Sequence, residues 1–405
     1  MSGVSIVITV IYVFILKWIT KPLLYVSMLI IFISFVLLGG YCYIHMADYE
    51  KDSDNYKFTM AGAYISWVIG LIYMICVCCC WKNISLGASI MEAASEFVSQ
   101  NLRVVALPLV AYILVIPTFI IWTFCAIYLY SIGTPIYAPN SFIASIEWQK
   151  ETEYMFWFYL FGLLWIIAFI ICVQQFMVAT LACMWYYSGQ GEEMSDQRGS
   201  VSVLTAFKWA TWYHVGSIAL GSFLIALITF IRLVFEYIVY QYEKVGNKEN
   251  PVYKALKCVI RCILWCLDQY VKFITKNAYI QIALHSTNFC KAAWDSFYLI
   301  IRHAGRFGSA GMIGWIMMIL GKGTIMGSSA ALTFIYIQEM YTDIQQPLIA
   351  TVIVAMVAYL VSSLFLSIFS FSCTAILHSF ILAEDTHANI PSPKSLQPFL
   401  DYNDE

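Results

Sequence analysis

The chain has 405 residues, of which 61% are apolar and only 11% are charged, whereas about 25% of the residues of a soluble domain are charged. Its formal net charge is −2 and its mean hydropathy is +0.77. These values exclude a soluble enzyme, a disordered protein and a basic nucleic-acid-binding protein, so no nucleic-acid partner is expected. They predict an all-α polytopic membrane protein in contact with the lipid bilayer.

Apolar runs long enough to cross a hydrocarbon core of about 30 Å recur along the chain, and none alternates with the period of a barrel strand. We therefore expect a helical bundle of eight to nine membrane segments with additional interfacial amphipathic helices. The eight clearest runs are residues 2–20, 22–44, 60–80, 106–130, 155–187, 208–238, 310–337 and 346–383. Together they predict one transmembrane domain over residues 1–385 and a cytoplasmic tail over residues 386–405.

The charges of the loops predict which loops face the cytoplasm, because short cytoplasmic loops collect lysine and arginine. The turn at 17–21 is basic and the segment 81–105 carries Lys82 and Arg103, so both are assigned to the inside. The loops 45–59 and 131–154 are acidic and are assigned to the opposite side. If successive loops alternate between the two sides of the membrane, residues 239–309 lie outside, although this stretch is strongly basic.

An additional membrane-associated segment between residues 252 and 300 would resolve that conflict. Residues 252–275 carry apolar side chains at helical spacing with a charge in every turn, which predicts an amphipathic helix in the interface. Residues 84–100 have a similar pattern. We predict an interfacial or re-entrant region over 252–300, with a ninth membrane segment within 277–300.

The thirteen cysteines and six histidines raise the alternatives of metal, haem and disulfide sites. A straight helical row of cysteines cannot surround a metal ion, so packing is the favoured interpretation, with lipid acylation of Cys78, Cys79 and Cys80 as the alternative. No pairing of a nucleophile with a base predicts catalysis. The sequence therefore predicts no metal, no cofactor and no enzyme activity.

Aromatic side chains, amides and a histidine concentrate in the fifth and sixth apolar runs. A quaternary ammonium has no N–H to donate, so proteins hold it against aromatic faces with a carboxylate or amide nearby. An aromatic belt at the membrane interface is the alternative interpretation, and a lysine in the seventh run either binds substrate or reaches the headgroups. The predicted substrate-binding residues are Trp165, Gln174, Tyr186, Trp212, Tyr213, His214 and Lys322.

Five stretches resemble, in the same order along the chain, the choline transporter-like family. The most characteristic is NAYIQIALHSTNFC at 277–290, which AAWDSFYLIIRHAGR follows at 292–306. The others are FILKWITKPLLYV at 14–26, PLVAYILVI at 108–116, WYHVGSIALGS at 212–222 and KCVIRCILWCLDQYVKF at 257–273. The resemblance implies a ten-span helical bundle that moves choline, and in some members ethanolamine, without an ATPase domain.

Family members begin with a further N-terminal span and a large extracellular loop, so we expect this chain to be shortened at its N-terminus. The first functional hypothesis is transport of choline or a related small organic cation by alternating access, with joints near Gly216, Gly221 and Gly321. The alternative is a membrane-embedded structural or accessory subunit of a larger complex, which would have protein partners. The membrane is expected to be the plasma membrane or that of an organelle, including the mitochondrion.

Overall fold

The computed structural model describes residues 22, 25–26, 28–46, 54–136, 145–188, 201–244, 251–340, 347–386 and 392–400. Its helices are α1 (Met28–His45), α2 (Asp54–Cys79), α3 (Trp81–Gln100), α4 (Leu107–Tyr130), α5 (Lys150–Tyr187), α6 (Val203–Lys208), α7 (Val215–Lys244), α8 (Pro251–His285), α9 (Phe289–Arg302), α10 (Ala304–Met340), α11 (Pro347–Asp385) and α12 (Gln397–Leu400). A 3₁₀ turn, Leu102–Ala106, precedes α4, and a π turn, Trp209–Tyr213, links α6 to α7. Two short strands, β1 (Thr134–Ile136) and β2 (Ser145–Glu147), pair antiparallel between α4 and α5.

Seven of the described helical segments are long and apolar enough to cross a membrane. They are Met28–His45, Tyr56–Cys79, Leu102–Tyr130, Lys150–Tyr187, Val215–Lys244, Ala304–Glu339 and Leu348–Asp385. These segments match seven of the eight predicted runs, so the chain is an all-α, multi-pass integral membrane protein. The eighth run, residues 2–20, lies outside the described residues. Neither α8 nor α9 is among the seven, and the interfacial or re-entrant assignment of 252–300 stays a prediction.

The chain divides into two compact units, which share between them the region predicted as one transmembrane domain; the first unit also contains the predicted tail. The first unit contains residues Met1–Gln100, Tyr186–Arg198 and Arg302–Glu405. The second unit contains residues Asn101–Trp185 and Gly199–Ile301. Every contact described below lies within one of these units.

In the first unit, α3 packs against α10 and α11, which also pack along each other. The interfacial position predicted for 84–100 stays a prediction, but most of α3 is buried against its neighbouring helices. The physical reason is the set of small residues along α3, which lets neighbouring helices approach closely. At Gly87, for example, an added Cβ would lie 2.5 Å from Ile313 Cδ1 and 3.3 Å from the Cα of Ala310.

In the second unit, α7 packs against α8 through a similarly tight contact. The buried Tyr279 hydroxyl donates a hydrogen bond to the carbonyl of Ile218 at 3.1 Å. Gly221 lies beside it, where a Cβ would come within 2.8 Å of Thr275 Cγ2 and 2.9 Å of Phe289 Cε2. A side chain at position 221 would therefore separate α7 from both α8 and α9.

Replacing Gly221 with alanine should destabilise the protein by about 1–3 kcal/mol, the usual cost of overpacking a filled contact. On the same helix, a Cβ added at Gly216 would meet no atom within 4 Å, so Gly216→Ala is the matched control. We expect Gly221→Ala to lower the midpoint of thermal unfolding in detergent by several degrees and Gly216→Ala to leave it unchanged or raise it. Equal midpoints for the two variants would contradict the tight contact.

Candidate functional site

Three charge pairs join α7 to α8 in antiparallel order. Asp268 is 1% exposed and accepts hydrogen bonds at Oδ2 from Arg232 at 2.9 Å and from Lys272 at 2.8 Å. Further along, Arg261 pairs with Glu236. The polar face of α8 therefore lies on α7, where Arg261 and Asp268 are used for pairing.

The third pair of the row joins Lys257 to Glu243, with Nζ 2.6 Å from Oε1. On the opposite side of α8 the apolar side chains are exposed, as is expected for a helix that meets lipid. These exposed residues include Leu256, Val259, Ile263, Leu267 and Phe273. The paired face and the apolar face together give α8 its amphipathic pattern.

A cleft of about 310 Å³ lies between α5, α7 and the C-terminal half of α8. Its walls are mostly apolar, but Lys272 and Lys276 line it together with Cys172 and the amide of Gln175. Lys272 is paired with Asp268, whereas Lys276 has no ion-pair partner in the part of the chain that the structure describes. The electrostatic character of this cleft is therefore positive.

A second cavity, of about 270 Å³, lies at the other end of the same unit, and we call it the aromatic pocket. It is lined by Leu129, Tyr130, Trp148, Thr152, Glu153, Phe156, Trp157, Leu160 and Tyr237. The strand pair brings Trp148 back to the end of α4, where its Nε1 donates a hydrogen bond to the carbonyl of Tyr130 at 3.2 Å. The ring of Trp148 stands edge-on to that of Tyr130, with centroids 4.9 Å apart.

The opposite wall of the aromatic pocket comes from α5 and α7. The centroid of the Trp157 ring lies 5.1 Å from that of Tyr237 in an edge-to-face contact. Glu153, in the first turn of α5, adds a carboxylate that has no ion-pair partner among the described residues. Aromatic faces around one carboxylate form the type of site that holds an organic cation.

The structure places five of the seven predicted binding residues in the second unit. Trp165 donates through Nε1 to the carbonyl of Ala219 and to Ser222 Oγ, both at 3.3 Å. The His214 ring lies 5.4 Å from that of Phe176. Gln174 is half-buried in α5.

The remaining four residues have different environments. Trp212 and Tyr213, in the π turn, are 76% and 67% exposed and line neither the cleft nor the aromatic pocket. Tyr186 and Lys322 belong to the first unit, where the buried Tyr186 hydroxyl shares a hydrogen bond with Ser392. The Lys322 ammonium lies 5.5 Å from the centroid of the Tyr359 ring. The seven residues therefore do not line one cavity in the described structure, and their substrate-binding role stays a prediction.

Sequence reasoning misses the aromatic pocket, although it assigns the acidic 131–154 loop to the outer side. The missing information is the pairing of β1 with β2, two strands of three residues each. A useful signal is present, since Trp148 and Glu153 lie within six residues of each other and directly precede the fifth apolar run.

Comparison with known proteins relates the chain to one family. A family model described as plasma-membrane choline transporter matches residues 64–385. The chain is 24% identical over 402 residues to choline transporter-like protein 2 of Dictyostelium discoideum, a match covering 93% of this chain and 62% of that relative. It is 26% identical over 406 residues to choline transporter-like protein 1 of Mus musculus, covering 96% of this chain and 60% of the relative.

A shorter match, 31% identical over 257 residues, relates 63% of this chain to 31% of choline transporter-like 2 of Drosophila melanogaster. The chain belongs to the choline transporter-like family, which is a family of membrane transporters and not of enzymes. The chain spans about 60% of the length of the Dictyostelium and mouse relatives.

The buried carboxylate of Asp268 should contribute more to stability than the exposed carboxylate of Glu236. Asp268→Asn leaves Arg232 and Lys272 without their common negatively charged partner. We expect the free energy of unfolding to fall by about 2–3 kcal/mol. This is less than for a fully buried ion pair, because both cations are partly exposed. Glu236→Gln removes a pair whose side chains are 47% and 46% exposed and should cost at most about 1 kcal/mol.

Thermal unfolding of the two variants in detergent measures this difference. Asp268→Asn should lower the unfolding midpoint clearly more than Glu236→Gln. Similar midpoints would mean that Asp268 is not the central partner of the α7–α8 contact.

Proposed function

We propose that this protein transports choline or a related small organic cation across a membrane, and that the aromatic pocket is a binding site for that cation. The observation that carries the proposal is the combination of five aromatic side chains with the Glu153 carboxylate around one cavity. A cation without N–H groups is stabilised by aromatic faces and by a nearby negative charge. Membership of the choline transporter-like family supports the same class of substrate.

Electrostatics favour the aromatic pocket over the lysine-lined cleft as the site for a cation. Two unit charges 4 Å apart interact by about 4 kcal/mol at the effective dielectric of a protein surface. Glu153 would therefore attract a quaternary ammonium, whereas Lys276 would repel it in the cleft. The pocket volume is also close to the lower limit of about 300 Å³ that is usual for sites that hold small molecules.

The location of the pocket agrees with a role at the entrance of a transport pathway. Acidic residues of the 131–154 loop assign this end of α5 to the outer side of the membrane. Glu151 and Glu153 in the first turn of α5 also complement the positive end of the helix dipole. The more deeply placed Trp165, Gln174 and His214 are then proposed as contacts further along the pathway, reached by alternating access.

Uptake of radiolabelled choline by proteoliposomes that contain the purified chain tests the proposal. Glu153→Gln keeps the shape of the side chain and removes its charge, and Trp157→Leu removes an aromatic wall. Each change should raise the KM for choline by about tenfold, equivalent to about 1.4 kcal/mol of lost binding. Uptake no faster than in empty liposomes would contradict transport and favour the alternative, an accessory subunit. Co-purification of the chain with other membrane proteins would support that alternative.

Glu151→Gln is the matched control for the charge of Glu153. Glu151 lies in the same exposed helical turn but does not line the pocket, so its replacement should leave the KM nearly unchanged. Tetramethylammonium should compete with choline, whereas the uncharged analogue 3,3-dimethylbutanol should not. Equal effects of Glu151→Gln and Glu153→Gln would indicate that only the overall charge of the surface matters.

A further inference from the structure

A run of cysteines ends the second of the membrane-spanning helices that the structure describes. The span Tyr56–Cys79 finishes at two adjacent cysteines, Cys78 and Cys79, and Cys80 forms the turn before α3. All three side chains are exposed and none forms a disulfide. Their thiols therefore lie at the end of a span and on the surface of the protein.

The residues that follow place this turn at the level of the lipid headgroups. Trp81 is half-exposed and stacks on Tyr25, with ring centroids 5.4 Å apart. Lys82 comes next in the sequence. Tryptophan and tyrosine concentrate at the membrane–water interface, and lysine concentrates on the cytoplasmic side. With the orientation predicted from the loop charges, the three thiols are within about one helical turn of the cytoplasmic surface.

The three thiols have no structural role within the described protein. Buried cysteines of the chain behave differently: Cys172 and Cys183 are within the core, and Cys373 lies 3.1 Å from the sulfur of Met91. No group of three or more metal-binding side chains occurs among the described residues, so the run is not part of a metal site there. Exposed thiols of this kind remain available for chemical modification.

We propose that Cys78, Cys79 and Cys80 carry long-chain fatty acyl groups in thioester linkage. The sulfur of each thiol attacks the carbonyl carbon of a fatty acyl-coenzyme A, a new carbon–sulfur bond forms, and the bond to the coenzyme A sulfur breaks. Coenzyme A leaves as its thiol with the proton that the cysteine gives up, and nothing is oxidised or reduced. Juxtamembrane cysteines are the usual acceptors of this modification, because the attached chain can enter the adjacent leaflet directly.

Acylation at this corner would act on the contact between α2 and α3. The exposed face of α2 meets lipid, whereas α3 is buried against α10 and α11. Acyl chains at the turn would hold the start of α3 at the depth of the cytoplasmic leaflet. The modification therefore joins a lipid-facing helix to the core of the first unit.

Acyl exchange on the full chain, produced in yeast with a C-terminal tag, tests the proposal. Free thiols are blocked, hydroxylamine cleaves thioesters, and each released thiol is labelled with a maleimide polymer that slows migration. The wild-type chain should show a hydroxylamine-dependent shift, which the triple variant Cys78→Ser, Cys79→Ser, Cys80→Ser should lose. Absence of the shift in the wild-type chain would overturn the proposal.

A second set of three exposed cysteines provides the matched control. Cys258, Cys262 and Cys266 lie along the amphipathic helix α8, away from the end of a span, so they test whether the position at a span end selects the acylated thiols. Their replacement by serine should leave the shift unchanged. A shift that disappears in this variant and persists in the first would overturn the assignment. Peptide mass spectrometry of the wild-type chain needs no variant: acyl groups on Cys78–Cys80 support the proposal, and acyl groups on other cysteines alone refute it.

Discussion

The second unit depends on the pairing of charged side chains between α7 and α8. Charges beside a membrane-spanning helix are costly unless a partner is within reach, and α7 carries Arg232 and Glu236 within its predicted span. Asp268 and Arg261 of α8 supply those partners in antiparallel order. This pairing fixes the rotation of α8 about its axis, so that its apolar side chains face outward and Lys276 faces α5.

The rotation of α8 explains why the two cavities of this unit differ in charge. Lys272 is held by Asp268, and Lys276, one turn further, is directed into the cleft between α5 and α7. At the other end of the unit, no lysine lines the aromatic pocket. Glu153, which follows the strand pair in the sequence, lines it instead. An organic cation would therefore meet a positive charge in one cavity and a negative charge in the other, although both have apolar walls.

The sequence predicts the positions of the long apolar helices well and the contacts between helices poorly. Span positions follow from local hydropathy, which explains why seven predicted runs agree with described helices. The environment of residues 84–100 depends instead on α10 and α11, which are distant in the sequence, and their burial could not be inferred from an amphipathic pattern. The aromatic pocket was missed for the same reason, since a pairing between residues 134–136 and 145–147 brings its walls together.

The glycines expected to act as joints in alternating access are not equivalent in the structure. Gly221 is closely surrounded by Thr275, Tyr279 and Phe289, so a change of angle at this position would disturb a filled contact. Gly216 has open space, and it follows shortly after the π turn that links α6 to α7. A π turn is a local departure from the α-helical hydrogen-bond pattern and is often found at functional positions. The packing therefore favours the residues before 216 over Gly221 as a position for the predicted joint.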